Sequence, residues 1–529
     1  MVIDDEDDYY SNNWTSLVKS LKQKKVVDRN AASSLKAMIA SPDTENTVVA
    51  SEIIKHKIRD PLTKDLNEGQ TNAFHAIADF CNGVLEADAV VLKGYAGTGK
   101  TYLVKRVLEY LVRSFPGHKV AITAPTNKAV HVLARNSPYS DKSAIFEDYA
   151  DSNHTIVYCT VHRLLNKKEV ITDSGKQLFV ADKLSVKIKE YSFLIVDEVS
   201  MLDDGLFEEI MVHHKDLKII FLGDPAQIPP VNKEFSPPLR AKSPFNLLHL
   251  QLDEIMRQGS GNPLIEASMI LRQNLMAEKP LGELQTQVNE KNEGLVRIHS
   301  VTDRHKVRPL LGKLFTHPDY IANSNFCKIL AWRNKTVTYL NNTVRSILFN
   351  NTKAPYVVGE RLIANKPLFT KVVDRFGIRF KIKAHTSDEF VVTWVSVITT
   401  EFDEIGTIPR QYLKFWKLAA RNVSTENTVN LYVIHEESAA AYKLLCKEAR
   451  EIAKNLKTSE AWVEYYNLMK HSDNLSYAYA ITVHKSQGST YDYTLFIEED
   501  LDKNRKTFER NRIKYTAYTR ARKKTFVLV

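Results

Sequence analysis

The chain lacks long apolar runs and a basic N-terminal segment, and each absence excludes a class of protein. The 529-residue sequence contains no apolar run of about 18 or more residues, which argues against a membrane span. The opening stretch, MVIDDEDDYY, is acidic and has no apolar core, so it does not resemble a secretory signal. We therefore expect a cytoplasmic protein (host cytoplasm if the chain is phage-encoded) without a membrane partner.

Cysteine is scarce and widely spaced. The four cysteines form no CxxC pair and stand at Cys81, Cys159, Cys327 and Cys446. This spacing argues against a zinc site and against a disulfide framework, and it fits a reducing compartment.

Basic residues outnumber acidic ones, with a formal net charge of +10. Such an excess permits a polyanionic partner, but it also occurs in proteins that need it only for solubility. The hydrophobic content of 43% is ordinary for a globular protein. The length exceeds what a single hydrophobic core fills, so several domains are expected.

Short apolar runs alternate with amphipathic segments from about residue 61 onward. The runs AVVLKG, VAITAP, FLIVDE and KIIFLGD each end in Gly, Pro or an acidic residue. This alternation predicts βα units around a parallel sheet, and it returns in CKILAW, TLFIEE and TFVLV as a second α/β unit. Residues 355–435 alternate in the manner of β-strands, and residues 436–470 have a helical pattern. Residues 1–60 are expected to form a flexible appendage, with recruitment of a replication partner as the alternative.

A glycine-rich stretch, GYAGTGKT at 94–101, lies between a strand-like run and a helix-like run. It matches GxxxxGK[ST], in which backbone N–H groups and a helix N-terminus cradle phosphates. Lys100 can reach the β- and γ-phosphates, and Thr101 can ligate Mg²⁺. The pattern predicts a nucleotide site formed by Gly94, Ala96, Gly97, Thr98, Gly99, Lys100 and Thr101.

Two later strand ends supply polar side chains. FLIVDE ends in Asp197, which can hold Mg²⁺, and Glu198, which can polarise the attacking water. GDPAQIPPV at 223–231 carries Gln227, a candidate sensor of the γ-phosphate or its water. An acidic strand cap and a turn with a surface glutamine remain the alternatives.

Together with the rest of the chain, these stretches resemble the motif series of superfamily 1 helicases. The further motifs are ITAPTNKAVHVL (122–133), TVHRLL (160–165), IMRQ (255–258), ITVHKSQGSTYD (481–492) and YTAYTRARK (515–523). The forms DEVSM, GDxxQ, HKSQG and TRAR are typical of the RecD-like branch, superfamily 1B. LNEGQTNAF (66–74), GERLIANKPLF (359–369) and the end of the chain directly after the last motif are similar to a compact phage type of this branch.

The resemblance implies an α/β fold with two RecA-like parallel-sheet lobes, an inserted β-hairpin pin, an SH3-like β domain and a helical tower. The expected boundaries are 61–250 for lobe 1A, with the pin at 166–182; 251–354 and 476–529 for lobe 2A; and 355–475 for domain 2B, SH3-like over about 355–435 and tower over about 436–475.

The resemblance also implies roles around the nucleotide. Gln70 would recognise adenine, and Gly488 would let the backbone of the second lobe approach the phosphates. Arg257 and Arg520 would neutralise charge on the γ-phosphate, since a guanidinium fork matches its oxygens. Lys523 and Lys524 are expected to be a solvated approach to the strand TFVLV.

A DNA groove across both lobes is implied as well. Its expected contacts are Pro125, Thr126, Asn127, Lys128, Thr160, His162, Thr482 and His484. Phe179, in the hairpin-like stretch 166–182, would stack against DNA. Ordinary packing remains the alternative for each histidine and for Phe179. The aromatic residues of the tower, Trp462, Tyr465 and Tyr466, are expected to pack against the pin.

The resulting interpretation is a monomeric DNA helicase that depends on ATP and Mg²⁺ and moves 5′ to 3′ on single-stranded DNA, with duplex or forked DNA as substrate. One alternative is a DNA-stimulated ATPase that displaces bound proteins without efficient unwinding. Another is a P-loop ATPase with a partner other than nucleic acid.

Overall fold

The computed structural model describes residues 61–135, 137, 156–181, 187–230, 233–254, 261–275, 284–300, 302–350, 352–374 and 377–529. The expected appendage at 1–60 and Arg257 lie outside these ranges. No helix of the described ranges is long and apolar enough to cross a membrane.

The first lobe alternates strands and helices, as the apolar runs predict. Its strands are β1 (Ala89–Gly94), β2 (Val120–Ala124), β3 (Ile156–Thr160), β4 (Lys167–Ile171), β5 (Gln177–Ala181), β6 (Phe193–Val196), β7 (Lys218–Gly223) and β8 (Leu247–Leu252). Its helices are α1 (Glu68–Cys81), α2 (Lys100–Ser114), α3 (Asn127–Arg135), α4 (Val161–Leu164) and α5 (Asp204–Met211). A parallel sheet runs in the order β3-β2-β6-β7-β1-β8, and β4 and β5 form a separate antiparallel hairpin.

Both faces of this sheet are covered, which explains why its strands are apolar throughout. Consecutive side chains of a strand point to opposite faces. Val90 and Leu92 therefore share one core cluster with α1 and α2, whereas Ala89 and Val91 share another with α5. Because the strands are parallel, their carboxyl ends meet at a single edge.

The second lobe and domain 2B are interleaved in the chain. The first part of the lobe contains α6 (Pro263–Gln273), β9 (Gln287–Val288), β10 (Gly294–Ile298), α7 (Arg304–Phe315), α8 (Pro318–Ala322), β11 (Cys327–Ala331) and α9 (Asn334–Leu348). Domain 2B contains β12 (Arg361–Ala364), β13 (Leu368–Asp374), β14 (Gly377–Ala384), β15 (Glu389–Phe402), β16 (Gln411–Asn422), β17 (Thr428–Ile434), α10 (Glu436–Leu456), α11 (Ser459–Met469) and β18 (Leu475–Tyr477). The chain then returns to the lobe with β19 (Ala480–Thr482), β20 (Tyr491–Ile497), α12 (Glu498–Leu501), α13 (Thr507–Tyr518) and β21 (Ala521–Leu528).

Sheet pairing separates these two bodies. The second lobe has the order β19-β11-β20-β21-β10-β9, in which the pair β9–β10 alone is antiparallel among the described strands. Domain 2B has the order β17-β16-β15-β12-β18 and a separate β13–β14 ribbon. The first-lobe sheet runs to Leu252 and the 2B sheet to Tyr477, so the expected boundaries at 250 and 475 each cut a strand.

The strand TFVLV lies inside the second lobe, as its composition predicts, because β21 pairs with β10 and β20. The expectation of a solvated Lys524 is wrong. Lys524 is buried because it lies on β21, between Gly294 of β10 and Tyr493 of β20, and its ammonium is hydrogen-bonded to Asn292. Lys523 is half-exposed.

The β4–β5 hairpin is braced by α11, as the resemblance to the helicase family implies for the tower. Trp462 Nε1 donates to Asp173 O at 3.2 Å, and the Tyr466 hydroxyl donates to Gly175 O at 2.8 Å. Gly175 has φ +79°, and a Cβ there would lie 2.5 Å from Trp462 Cε2. The turn therefore favours glycine over other residues for two reasons. Its backbone has a positive φ, and the indole of Trp462 leaves no room for a Cβ.

We expect Gly175→Ala to loosen this brace. The matched control is Gly83→Ala, which has φ +77° and no neighbour within 4 Å of the added Cβ, so it isolates the backbone strain. Overpacking against Trp462 should cost about 1–3 kcal/mol beyond the control. Hydrogen exchange of the hairpin and tower amides measures this local opening. Equal protection in the two variants would contradict the predicted clash.

Candidate nucleotide site and nucleic-acid interface

Three adjacent strands bring the nucleotide motifs to one edge of the first sheet. The order β6-β7-β1 places Asp197, which follows β6, and Asp224, which follows β7, beside the end of β1 at Gly94. The motifs are far apart in the sequence, but the strand order brings them together at the carboxyl ends of the strands, where open α/β sheets bind ligands.

The glycine-rich loop wraps back on itself before α2 begins. Gly97 and Gly99 have φ values of +88° and +80°, a region that residues with a Cβ rarely adopt. The ammonium of Lys100 donates to the carbonyl oxygens of Gly94 and Tyr95, the latter at 3.0 Å. Lys100 therefore fills the loop itself, and a phosphate would have to take over these hydrogen bonds.

Gln70 supports this loop from α1. Its side-chain Nε2 donates to Thr98 O at 3.1 Å, and its Oε1 accepts from the Asn67 N–H at 3.2 Å. Gln70 is buried beside the predicted phosphate loop, where it fixes the backbone of Thr98. Among the hydrogen bonds of the described residues, Gln70 Nε2 uses one of its two hydrogens.

Asp197 and Glu198 form a carboxylate pair at the end of β6. The Asp197 Oδ1 accepts from the Glu198 N–H at 2.7 Å, and Glu198 has φ +53°, which is unusual for a residue with a side chain. Burial and the negative charge of Glu198 raise the pKa of Asp197 to about 7, although Lys100 opposes the shift. The hydroxyl of Thr101 and the carboxylate of Asp197 are oxygen ligands of the kind that Mg²⁺ prefers, so these residues fit that ion.

The loop after β7 leaves the first lobe and enters the second. Ala226 and Ile228 belong to the apolar core of the second lobe. Asp224 is buried, and its Oδ1 accepts from the Ala226 N–H at 2.9 Å. Gln227 is buried rather than a surface residue, and its Oε1 has no hydrogen-bond partner among the described residues.

Arg520 is buried, but its donors are used within the second lobe. Its Nε donates to Thr516 O at 3.0 Å, and one terminal nitrogen donates to Ser489 O at 3.2 Å. Its other terminal nitrogen donates to the Thr519 hydroxyl at 3.2 Å. A contact with a γ-phosphate would require these bonds to be exchanged. Its neighbour Arg522 is half-exposed and pairs with Asp492 at 2.8 Å.

Gly488 lies against the first lobe, although not against the phosphate loop. It has φ +71°, and a Cβ there would be 3.3 Å from Ala129 Cβ on α3. The turn before α3 is closed by Thr126, whose hydroxyl accepts from the Ala129 N–H at 3.3 Å. Pro125, Thr126 and Asn127 thus lead into a helix that the second lobe touches closely.

Lys128, on α3, joins three parts of the molecule. Its ammonium lies 3.3 Å from Glu389 of domain 2B, and Lys328 of the second lobe lies 3.0 Å from the other oxygen of that carboxylate. Burial alone would raise the pKa of Glu389, but Lys328 and Lys128 bring it down to about 2. At the far end of α3, Arg135 donates to the carbonyls of Val423 and Ser424. Domain 2B therefore holds α3 at both ends.

The two TVH triplets, 160–162 and 482–484, stand at strand ends in the two lobes, and their threonines make the same hydrogen bond. The Thr160 hydroxyl accepts from the Arg163 N–H, and the Thr482 hydroxyl accepts from the Lys485 N–H, both at 3.3 Å. Each hydroxyl keeps its own proton for donation. Desolvation lowers the pKa of both His162 and His484, although part of the His484 surface remains exposed.

Phe179 projects from the hairpin, with 57% of its surface exposed. Its ring makes an edge contact with His162, at a centroid distance of 5.7 Å. The hairpin aromatic and the TVHRLL motif are therefore neighbours.

The sequence interpretation missed three groups that connect the lobes. Tyr515 contacts both Asp224 and the phosphate loop, and the Arg512 guanidinium donates to Gln227 O at 2.9 Å. Burial lowers the pKa of Arg512 to about 10. The Arg272 guanidinium lies 4.0 Å from the centroid of the Tyr95 ring. An arginine and a tyrosine one turn apart in NRIKYTAY were the available signal, but a single helix pattern does not reveal its partner.

Comparison with known proteins gives consistent matches. Family models for an AAA domain and a UvrD-like helicase C-terminal domain match residues 65–290 and 477–528. An uncharacterized protein of Acanthamoeba polyphaga mimivirus is 26% identical over 484 residues, covering 81% of this chain and 93% of that protein. The ATP-dependent DNA helicase dda of Enterobacteria phage T4 is 25% identical over 449 residues, covering 81% and 91%. The crystal structure of Bacteroides Pif1 helicase with ADP-AlF3 and ssDNA has 16% identity and a TM-score of 0.44, covering 87% and 92%.

The chain is thus a helicase of superfamily 1B, in the Pif1/RecD-like group, as its motif series predicts. Within this group, the Dda helicase of phage T4 is a homologue over most of the chain, which confirms the resemblance to a compact phage type.

We expect Mg²⁺ binding to the nucleotide-free protein to strengthen as the pH rises through about 7, because Asp197 must lose its proton to bind a cation. Below that pH, the apparent affinity should fall about tenfold per pH unit. Calorimetry in two buffers of different ionisation enthalpy measures both affinity and proton release. Asp197→Asn should bind weakly without this pH dependence. A flat profile in the unsubstituted protein would remove Asp197 from the ligand set.

Proposed function

We propose that the protein is an ATP- and Mg²⁺-dependent DNA helicase that moves 5′ to 3′ on single-stranded DNA and separates a duplex at the β4–β5 hairpin. The observation that carries the proposal is the contact between the two lobes at the nucleotide motifs. Nucleotide motifs of the first lobe meet side chains of the second lobe there, and TVH motifs stand at strand ends in both lobes. At such a site, ATP binding and hydrolysis can change the relative position of the two lobes, each of which is proposed to hold DNA.

The proposed chemistry uses the side chains at the strand ends. Lys100 transfers its hydrogen bonds from loop carbonyls to the β- and γ-phosphates, and Thr101 and Asp197 hold Mg²⁺. Glu198 polarises the attacking water, and the unpartnered Gln227 Oε1 senses that water or the γ-phosphate.

The remaining nucleotide contacts are proposed from the motif resemblance. Gln70 recognises adenine with its remaining amide hydrogen, while Arg520 and Arg257 neutralise charge on the γ-phosphate when the lobes close. The phosphate cradle is formed by Gly94, Ala96, Gly97, Thr98 and Gly99. The proposed role of Gly488 is to keep the backbone of the second lobe close to the first.

The DNA path is proposed to follow α3 and the two TVH motifs. Backbone and hydroxyl donors suit phosphates, and they carry little base information. Thr160 and Thr482 donate their hydroxyl protons, with His162 and His484 beside them. Pro125 and Thr126 precede α3, and Asn127 and Lys128 begin it. The ammonium of Lys128 would have to leave Glu389 to reach a phosphate. The protein is proposed to act as a monomer, and recruitment of replication proteins would fall to residues 1–60.

Two assays test the helicase proposal. Single-stranded DNA should stimulate ATP hydrolysis, and a duplex with a 5′ tail should be unwound in preference to one with a 3′ tail, because the RecD-like group provides the support for this polarity. The assays use matched duplexes and measure strand release and phosphate release in parallel. Absence of stimulation would reject a DNA-driven motor, whereas preference for the 3′ tail would reject the polarity alone.

We expect Phe179→Ala to lower unwinding about tenfold while DNA-stimulated ATP hydrolysis changes less than twofold, because loss of a stacked aromatic costs about 1–3 kcal/mol per base. Val180→Ala is the matched control, since Val180 is 49% exposed and follows Phe179 on the opposite face of the same strand. Equal loss of both activities, or no loss, would remove the pin assignment. Weak strand release by the unsubstituted protein, together with strong DNA-stimulated ATP hydrolysis, would instead favour the alternative of a translocase that displaces proteins without efficient unwinding.

A further inference from the structure

One face of α13 reaches from the second lobe into the nucleotide site of the first. Arg512 and Tyr515 are one helical turn apart and are both almost fully buried, at 2% and 1% exposure. Their partners are in the first lobe, more than 280 residues away along the chain. The helix is thus a direct mechanical contact between the lobes.

The Tyr515 hydroxyl joins two loops of the first lobe. It donates to Asp224 Oδ2 at 2.9 Å and accepts from the Ala96 N–H at 3.2 Å. Burial holds the pKa of this phenol well above its usual range, so the hydroxyl keeps the proton that it donates. A single oxygen atom of the second lobe therefore links the phosphate loop to the loop that carries Gln227.

Neighbouring contacts fix the position of that hydroxyl. Arg512 lies between the rings of Phe235, in the first lobe, and Phe508, in the second, at 4.5 Å and 4.4 Å from their centroids. Its Nε and one terminal nitrogen have no hydrogen-bond partner within the described ranges. The Gln487 side chain adds a hydrogen bond to Ile228 O at 3.3 Å. The loop after β7 is therefore held from several sides by the second lobe.

We propose that Tyr515 is a positioning residue that makes the conformation of the phosphate loop depend on the position of the second lobe, and that it thereby couples DNA binding to ATP hydrolysis. The inference rests on the proposed function, because such coupling requires DNA to bind. Hydrogen bonds weaken steeply with distance and angle, so a small displacement of α13 alters the constraint on Ala96 and Asp224. DNA held by the second lobe then changes the loop that must cradle the phosphates.

The chain offers a matched control on the same helix. Tyr518 is as buried as Tyr515, and its hydroxyl donates to Glu498 Oε2 at 2.9 Å, entirely within the second lobe. Tyr515→Phe and Tyr518→Phe each remove one hydroxyl and leave one buried carboxylate without that donor. Their effects on thermal stability should be similar, and only the first removes a link between the lobes.

The test measures kcat and KM for ATP with and without single-stranded DNA in both variants. We expect Tyr515→Phe to lower the ratio of stimulated to unstimulated kcat about tenfold, within the range typical of coupling between sites. Tyr518→Phe should keep the ratio of the unsubstituted protein. Undiminished stimulation in Tyr515→Phe, or an equal loss in the two variants, would overturn the inference. Lack of stimulation in the unsubstituted protein would instead reject the proposed function and the coupling together.

A second measurement covers the case in which Tyr515→Phe does not fold. Hydrogen exchange of the 94–101 peptide in the full-length unsubstituted protein is followed on addition of single-stranded DNA without nucleotide. Altered protection of the 94–101 loop supports the coupling, because without nucleotide the effect of DNA on this loop can be transmitted only through the protein. Unchanged protection under saturating DNA would overturn it.

Discussion

The nucleotide site depends on a loop of one lobe that is buried in the other. After β7 the chain carries Ala226 and Ile228 into the apolar core of the second lobe, and Asp224 is buried with them. A buried carboxylate is costly unless it accepts hydrogen bonds, so its partners constrain the surrounding structure. Those partners come from its own loop and from α13. The relative placement of the lobes is therefore set at the point where the chemistry would occur.

The sheet explains why the other elements of the site meet this loop. Parallel strands end together, and the order β6-β7-β1 places the carboxylate pair and the phosphate loop on either side of it. Local geometry then refines the arrangement. Gly97 and Gly99 have positive φ values in the phosphate loop. Glu198, at the end of β6, also has a positive φ, which is unusual for a residue with a side chain. Strained backbone of this kind persists only where the surrounding fold overdetermines it.

Much of the secondary structure could be predicted because each strand, helix or turn depends on the residues of one short segment. The strand runs, the phosphate loop and the hairpin followed from periodicity and turn residues, whereas the tower that braces the hairpin followed from the resemblance to the helicase family. Predictions were weaker where a side chain meets a distant partner. Lys128 was expected to face DNA, yet its ammonium lies beside Glu389, 261 positions further along the chain. Lys524 was expected to be a solvated approach to the last strand, but it already belongs to β21 and is buried between β10 and β20.

The junction of Lys128, Glu389 and Lys328 has a consequence for how the sequence can vary. Removing one member of a buried ion cluster leaves a charge without compensation, whereas replacing the whole cluster by apolar side chains of similar volume is often neutral. The three positions belong to the first lobe, domain 2B and the second lobe, and they are far apart in the chain. Substitutions at them are therefore epistatic. A chimaera that exchanges domain 2B with that of a relative must bring a carboxylate to the position of Glu389, or both lysines must change with it.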